Sequence, residues 1–256
     1  MLDKIRGVVL RERKSGESDK LLTVLTSSGK ISMMAKGGRN LKNRNLSSAS
    51  VFSYCDFVVY EKNGFCWLKE TERIASFFNI TENVDRLAFG QYFLELADIL
   101  AVSDSDESRL LQLLLNALYA LSTNYCSLWQ IKAAFELRAA AVSGFEPDLN
   151  SCEICGKEET PLVFFPEDGV CRCRSCTDRL PPPEPGREVR SYPLSESVYR
   201  AMLYILSSDP KRVFSFKISE SELFVLCEIC EYFTVCRIEK RPFTLTFLHN
   251  MILDRK

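Results

Sequence analysis

Five of the chain's eleven cysteines lie in one short stretch, CEICGKEETPLVFFPEDGVCRCRSC, which runs from Cys152 to Cys176, whereas the whole chain has a single histidine. Cys152 and Cys155 form one CxxC pair and Cys173 and Cys176 form another, with 17 residues between the pairs. This spacing is typical of a zinc ribbon or a treble-clef-like site, because a two-residue gap lets a tight turn direct two sulfurs to one centre. We therefore predict that these four thiolates bind Zn²⁺.

The predicted zinc is structural. Four cysteine ligands complete a tetrahedron and leave no open position for water, and common catalytic zinc sites use at least one histidine. Binding of this kind contributes on the order of 10 to 16 kcal/mol in small peptides, which is enough to order the intervening PLVFFPEDGV. Cys171 leaves the ligand set open at one position, since it could replace Cys173, although only Cys173 completes a CxxC pair.

The other CxxC pair has a different interpretation. Cys227 and Cys230 lie inside the helical run ELFVLCEICEYFTVCR and are predicted to be small core or boundary residues. A redox centre is disfavoured, because it would place a CxxC at the start of a helix after a strand in a βαβ unit, and that pattern is not seen.

A basic loop is the second candidate site. In AKGGRNLKNRNLSS, Lys36, Arg39, Lys42 and Arg44 recur every two or three residues among few apolar side chains. Such a loop is either solvated surface or a phosphate-binding element. Residues 1–80 carry 14 Lys+Arg against 8 Asp+Glu, whereas residues 81–149 carry 4 against 10, although the net charge of the chain is only −1. A basic head on an acidic body favours nucleic acid as a partner, with solvation of a small β domain as the alternative.

Short strands are predicted to position the basic loop. The β-rich runs cover about 4–12, 20–26, 31–37, 51–61 and 65–72, and Asn63-Gly64 is a strong hairpin signal between the last two. So many short strands before residue 80 fit a small closed or nearly closed barrel, such as an OB-fold, better than a sandwich.

The pattern becomes helical beyond residue 80. Thr81 is the predicted N-cap of the first helix, and further helices are expected at about 108–121 and 127–142, before Gly144. After the Pro-rich LPPPEPG, helices are expected at 195–207 and from a capping box at Ser219 to about 237. The predicted fold class is α+β, with a five-stranded OB-fold barrel at 1–80 and an all-helical domain at 81–256, which a zinc module at 150–180 interrupts.

Composition excludes several classes. The hydrophobic fraction of 46% and the charged fraction of 26% are ordinary for a globular protein. The N-terminus lacks an apolar segment of signal-peptide length, and the longest apolar stretch, LLQLLLNALYAL, is too short to span a bilayer. We therefore expect a soluble cytosolic protein with reduced thiols. The chain lacks a Walker-type glycine loop and a Ser-His-Asp arrangement, so we expect that it is not an enzyme.

Several stretches resemble the bacterial RecO family of recombination mediators. They are GVVLRERKSGESDKLLTVLTSSGKISMMAKGGR in the head and ELRAAAVSGFEPDLNSCEICG before the cysteine module. The most specific parts are GESDK at 16–20, AKG at 35–37, and Gly144-Phe145 followed by Pro147 and the first CxxC. The resemblance spans essentially the whole chain.

This resemblance implies an OB-fold that binds single- and double-stranded DNA and anneals complementary strands, with no chemistry on a covalent bond. It also implies that the protein works with RecR to load RecA onto DNA coated by single-stranded-DNA-binding protein (SSB), in recombinational repair. The implied protein retains structural Zn²⁺, is cytoplasmic and nucleoid-associated, and has neither a membrane nor a small-molecule substrate as a partner. The resemblance also favours a monomer whose helical domain offers a groove to the SSB tail.

On this interpretation, the first residues expected at the DNA phosphates are those of the basic loop, and a second set lies at the end of the first strand. They are Lys36, Arg39, Lys42 and Arg44, followed by Arg11, Arg13 and Lys14. Phe65 and Trp67 could stack on bases, but an alternating Phe/Trp strand in a small barrel more commonly faces the core. Two alternatives stay open, namely a generic single-strand-binding protein of translation or transcription and a zinc-clipped interaction scaffold.

Overall fold

Five strands form a closed barrel in the order β1-β2-β3-β5-β4 in the computed structural model, which describes residues 2–38, 49–158, 161–181, 186, 189–238 and 240–253. The strands are β1 (Leu2–Ser15), β2 (Asp19–Thr26), β3 (Gly29–Ala35), β4 (Ser53–Lys62) and β5 (Phe65–Ser76). Neighbouring strands are antiparallel except β3 and β5, which run parallel and pair at Met34 and Trp67. This closed five-stranded arrangement is that of an OB-fold, so the predicted barrel is confirmed.

The barrel interior is filled by alternate side chains of its strands. Val9, Leu22, Met33, Phe57 and Leu68 are all at most 4% exposed and belong to one apolar cluster. Alternation of this kind places the remaining side chains on the outer surface, where β-branched and aromatic residues still support the strand conformation. At the β4–β5 turn, Asn63 and Gly64 both have positive φ angles, 55° and 74°. These values fit the two-residue hairpin turn that the Asn-Gly pair predicts.

The helices come next in the chain. The α-helices in the described part are α1 (Val84–Leu100), α2 (Ser108–Thr123), α3 (Leu128–Val142), α4 (Arg174–Thr177), α5 (Glu196–Ser207), α6 (Glu220–Ile238) and α7 (Phe243–Leu253). Three predicted helix ends are confirmed, because Ser195 caps α5, Ser219 accepts from Glu222 before α6, and Gly144 has a φ of 93° beyond α3.

The predicted N-cap at Thr81 is wrong. Residues Phe78–Glu82 form a 3₁₀ helix, in which the Thr81 hydroxyl donates to the Phe78 carbonyl at 2.7 Å. The α1 helix instead begins after Asn83, whose side chain accepts from the Arg86 backbone N–H at 3.0 Å. Thr81 thus lies in a local 3₁₀ turn, and the N-cap of α1 is two residues further along the chain.

Contacts divide the chain into two units, one from Met1–Tyr125 with Pro242–Lys256 and one of Cys126–Arg241. In the first unit, α1 and α2 contact strands of the barrel. Asp98 of α1 forms ion pairs with Arg11 at 2.8 Å and with Lys30 at 3.1 Å. These ion pairs join α1 to β1 and β3, so contacts with the barrel continue beyond residue 80. The domain limits 1–80 and 81–256, with a module at 150–180, stay a prediction.

In the second unit, α3 packs against α5 and α6. The fully buried Lys132 ammonium of α3 lies 2.7 Å from a Glu136 carboxylate oxygen and 2.8 Å from one of Glu231. A charge at such a position is tolerated because it is paired and hydrogen-bonded. Cys227 and Cys230 of α6 are at most 7% exposed, which confirms that this CxxC pair lies in the helical core.

The cysteine segment forms a small sheet in the second unit. Its strands are β6 (Asp148–Cys152), β7 (Leu162–Phe165), β8 (Val170–Cys173) and β9 (Tyr192–Pro193), in the order β6-β8-β7-β9. PLVFFPEDGV is thus ordered as β7 and the turn into β8, as expected. None of the helices in the described ranges is long and apolar enough to cross a membrane.

Candidate metal centre and nucleic-acid surface

The two CxxC pairs meet at one point. The sulfurs of Cys152, Cys155, Cys173 and Cys176 all lie within 4.8 Å of one another, and those of Cys155 and Cys173 are 3.8 Å apart. Strand β6 ends at Cys152 and runs parallel to β8, which ends at Cys173, so the two strands deliver their pairs to the same edge. This cluster could hold a metal ion.

Local backbone geometry positions each pair. Gly156 follows the first pair with a φ of 70°, and its N–H donates to the Cys152 carbonyl at 2.8 Å, which closes the turn that holds Cys155. Left-handed backbone of this kind favours glycine. Cys176 lies in the single turn α4 directly after β8. Both sulfur pairs are therefore presented by tight turns.

The cluster's electrostatics favour thiolates at two positions. Burial opposes charge on Cys152, but backbone N–H groups of Cys173, Cys155 and Ile154 outweigh this and lower its pKa to about 6. The backbone N–H of Cys176 likewise lowers the pKa of Cys173. Hydrogen bonding to Cys173 raises the pKa of Cys176 to about 12. A bound cation would favour the thiolate form of all four sulfurs, because metal ligands must be deprotonated.

Cys171 is not a member of the cluster. It lies in β8, where it pairs in register with Cys152 and Phe164, and it is fully buried. Burial raises the pKa of its thiol to about 12. The structure therefore brings Cys173 to the other three cysteines and leaves Cys171 as an apolar packing residue.

The cysteine module packs against α6 and hydrogen-bonds to it. The Tyr232 hydroxyl donates to Glu167 at 2.6 Å, and Arg237 donates to the Pro166 carbonyl at 2.9 Å, so α6 holds the β7–β8 turn. The Phe164 and Phe233 rings pack with centroids 5.8 Å apart. The module thus shares a packing surface with a helix of the same unit.

The predicted DNA-binding residues differ in exposure and pairing, and some of them lie outside the described ranges. Lys36 is exposed in the turn that follows β3, and Arg13 and Lys14 are exposed near the end of β1. Arg11 is instead paired with Asp98. Arg39, Lys42 and Arg44 lie outside the described residues.

Ion pairs sort the cations of the barrel into two groups. Lys4 and Arg6 bind Asp56, Lys20 binds Glu12, and Arg11 and Lys30 bind Asp98. In the part of the chain that the structure describes, the following have no carboxylate within ion-pair distance: Arg13, Lys14, Lys36, Lys62 and Lys69. The second group is available to an outside anion.

The expectation that Phe65 and Trp67 face the core is wrong. Cys66 and Leu68 are the residues of this strand that pack with the interior cluster, so alternation turns Phe65 and Trp67 outward. Phe65 is 64% exposed. Tyr60 and Lys62 of β4, which the sequence reasoning missed, lie opposite them in register. Tyr60 and Lys62 do not share the face of the core residue Val59, and no pattern in the sequence shows which of the two faces of β4 is buried.

This chain is an OB-fold protein with a candidate metal centre, because it combines a closed five-stranded barrel and helices with a four-cysteine module. Family models described as "Recombination protein O N terminal" and "Recombination protein O C terminal" match residues 1–77 and 81–245. The chain therefore belongs to the RecO family.

Curated relatives cover most of the chain. A protein of Acetivibrio thermocellus is 30% identical over 253 residues, which cover 98% of this chain and 97% of the relative. One of Alkaliphilus metalliredigens is 36% identical over 69% of this chain and 72% of its own length, and one of Clostridium kluyveri is 26% identical over 99% and 95%. Each is named "DNA repair protein RecO".

Proposed function

We propose that this protein is a DNA-binding recombination mediator in DNA repair, which binds single- and double-stranded DNA and anneals complementary strands. The observation that carries the proposal is the match of both RecO family models, which together span the barrel and most of the helical region. The relatives' shared name supplies the process, DNA repair. The mediator acts through binding alone and makes or breaks no covalent bond.

The barrel supplies the physical basis for binding. OB-folds present a strand face and flanking loops to nucleic acid, where cations neutralise phosphates. Arg13, Lys14 and Lys36 supply such cations in the described chain, and we assign the same role to Arg39, Lys42 and Arg44, which follow Lys36 in the sequence. Arg11 contributes less, because Asp98 already neutralises it. Contacts of this kind leave base edges free to pair, which suits annealing.

The four-cysteine cluster is proposed to hold structural Zn²⁺. The 3.8 Å between the Cys155 and Cys173 sulfurs is close to the edge of a tetrahedron with metal–sulfur distances of about 2.3 Å. The ligands are Cys152, Cys155, Cys173 and Cys176, and the metal supplies cross-linking only. Its role is to hold the β6–β8 edge and α4 together. The neighbouring β7–β8 turn is held by its hydrogen bonds with α6.

The proposed partners follow the family. With RecR, the protein helps RecA replace SSB on single strands, in the bacterial cytoplasm near the nucleoid. Neither a membrane nor a small-molecule substrate takes part. These assignments depend on family membership, since no residue of this chain by itself identifies RecR or the SSB tail.

The deciding experiment measures DNA affinity by fluorescence anisotropy across a salt series, on protein of known zinc content. If four cations contact a single strand, the slope of log K against log salt is roughly −3. Steep salt dependence, strand annealing and RecR binding are the expected results. Weak, salt-insensitive binding would instead favour a zinc-clipped interaction scaffold, and DNA binding without RecR binding would favour a generic single-strand-binding protein.

A further inference from the structure

The outer face of the barrel carries an ordered set of aromatic side chains. In register, Tyr60 of β4 lies opposite Trp67 of β5, and Lys62 lies opposite Phe65. Because residues paired across a ladder point to the same side of a sheet, these four side chains share the outer face. We call Tyr60, Phe65 and Trp67 the aromatic row.

Apolar residues extend the row onto both neighbouring strands. Trp67 pairs with Met34 of β3, and Tyr60 pairs with Leu2 of β1, which is 53% exposed. Met34 alternates with the core residue Met33, so it too faces outward. Leu2 and Phe65 of this strip are exposed, and its other members are half-buried. An apolar strip across four strands of a small barrel is unusual for a surface that meets only water, and a polar rim around it is typical of an interaction site.

The row borders a cleft of ≈ 380 Å³ at the β4–β5 hairpin. Its lining consists of Lys36, Tyr60, Lys62, Asn63, Phe65 and Trp67. No carboxylate is among these lining residues, and within the described chain neither lysine has an ion-pair partner. A lining of aromatic rings and cations without a carboxylate suits an anionic ligand that carries planar rings.

The geometry points to an unpaired nucleobase as the occupant: we propose that the aromatic row stacks on bases of single-stranded DNA. A base offers a π-face to the rings of the aromatic row, while the phosphates on either side of it meet Lys36 and Lys62. The proposal rests on the proposed DNA-binding function and adds a preference for single strands. In a duplex the base faces are already stacked, so only the phosphate contacts remain.

The test compares two labelled oligonucleotides with the same phosphates, a 20-mer of thymidine and an abasic 20-mer. The wild-type protein is expected to bind the thymidine oligomer about tenfold more tightly at equal salt, since stacking contributes ~1–3 kcal/mol per base. Phe65→Ala should remove most of that difference without changing the affinity for the abasic strand or the salt slope. Phe78→Ala is the matched control, because Phe78 is 62% exposed in the same unit.

Two further variants separate stacking from apolar contact. Phe65→Trp should retain the preference for bases, and Phe65→Leu should lose it. In a Trp129→Phe background, Trp67 is the single tryptophan, and its fluorescence should be quenched by the thymidine oligomer and not by the abasic one.

Two results would overturn the stacking proposal and leave the DNA-binding function intact. One is equal affinity of the wild-type protein for the two oligomers, and the other is an undiminished preference of Phe65→Leu for the thymidine oligomer. Failure to bind either oligomer would instead overturn the proposed function itself, and the stacking proposal with it.

Discussion

The Asp19 carboxylate accepts a hydrogen bond from the backbone N–H of Gly37 at 2.7 Å. This bond joins the two short motifs that carry the family resemblance in the barrel, GESDK at 16–20 and AKG at 35–37. It fixes the turn that contains Lys36, whose neighbour Gly37 has a φ of 66°. A carboxylate near the proposed DNA surface would repel phosphate, so we explain the presence of Asp19 by the backbone turn that it holds.

Asp19→Ala is therefore expected to weaken DNA binding, although the change removes a negative charge. Hydrogen bonds to charged groups contribute about 1.5–3 kcal/mol, and their loss should loosen the Lys36 turn and lower the free energy of unfolding by a similar amount. Anisotropy titrations and urea unfolding measure the two effects. Asp19→Asn, which keeps an acceptor oxygen, is the control. Stronger DNA binding by Asp19→Ala would show that Asp19 acts only through its charge.

The basic loop can be tested by a paired substitution. Lys36→Ala with Arg39→Ala should weaken binding to the same degree on DNA of any sequence and make the salt slope shallower by roughly 1.4, since each phosphate contact on a single strand adds about 0.7. Lys211→Ala, an exposed cation of the second unit, is the control. If the double variant keeps the wild-type affinity, the loop is solvated surface.

The metal assignment predicts opposite results for two cysteines of the same strand. Cys173→Ala should reduce the zinc content from about one ion per chain to nearly none and expose the module to proteolysis, because structural zinc sites stabilise their modules by several kcal/mol or more. Cys171→Ala should keep the zinc, because Cys171 lies outside the cluster. Elemental analysis of the purified variants decides this, and the reverse pattern would move the ligand role to Cys171.

A pH-dependent contribution is predicted at the β1–β4 pairing. Asp56 lies 2.6 Å from the Arg6 Nε and 2.9 Å from the Lys4 ammonium, and hydrogen bonds from Arg6 and Lys4 hold the pKa of its carboxyl well below the usual range. A depressed pKa stabilises the fold above the unfolded-state pKa of about 3.9, and this stabilisation is lost as the pH falls towards the folded-state value.

Asp56→Asn should therefore be less stable than the wild type at pH 7, and the difference should narrow below about pH 4. Thermal unfolding at several pH values measures it, with Glu61→Gln, an exposed carboxylate of the same strand, as the control. A difference that is constant across pH would assign the effect to packing.

Local patterns in the sequence predicted more than distant pairings did. The sequence favours Cys173 over Cys171 correctly, because a CxxC turn is set by its own four residues. The ion pair of Arg11 with Asp98 is not predicted, because Asp98 lies in another element and no local pattern reveals the pair.

The sequence favours the core over stacking for Phe65 and Trp67 for a related reason. An alternating strand has two faces, and sequence alone does not say which face points inward. The packing of Cys66 and Leu68 against the interior cluster settles that choice. Thr81 fits the local signature of an N-cap, but it lies in a 3₁₀ helix that packs ahead of α1, and the α-helix begins after Asn83.

The carboxylate of Glu95 in α1 accepts from the backbone N–H groups of Phe243 and Thr244 at 3.1 and 2.8 Å, at the start of α7. The first unit is thus assembled from two separate parts of the chain, with Cys126–Arg241 encoded between them. A ribosome must therefore finish the second unit before it supplies the last helix of the first. During synthesis the face of α1 that contacts α7 stays uncovered until then, so the barrel unit reaches its final form only after the second unit has been synthesised.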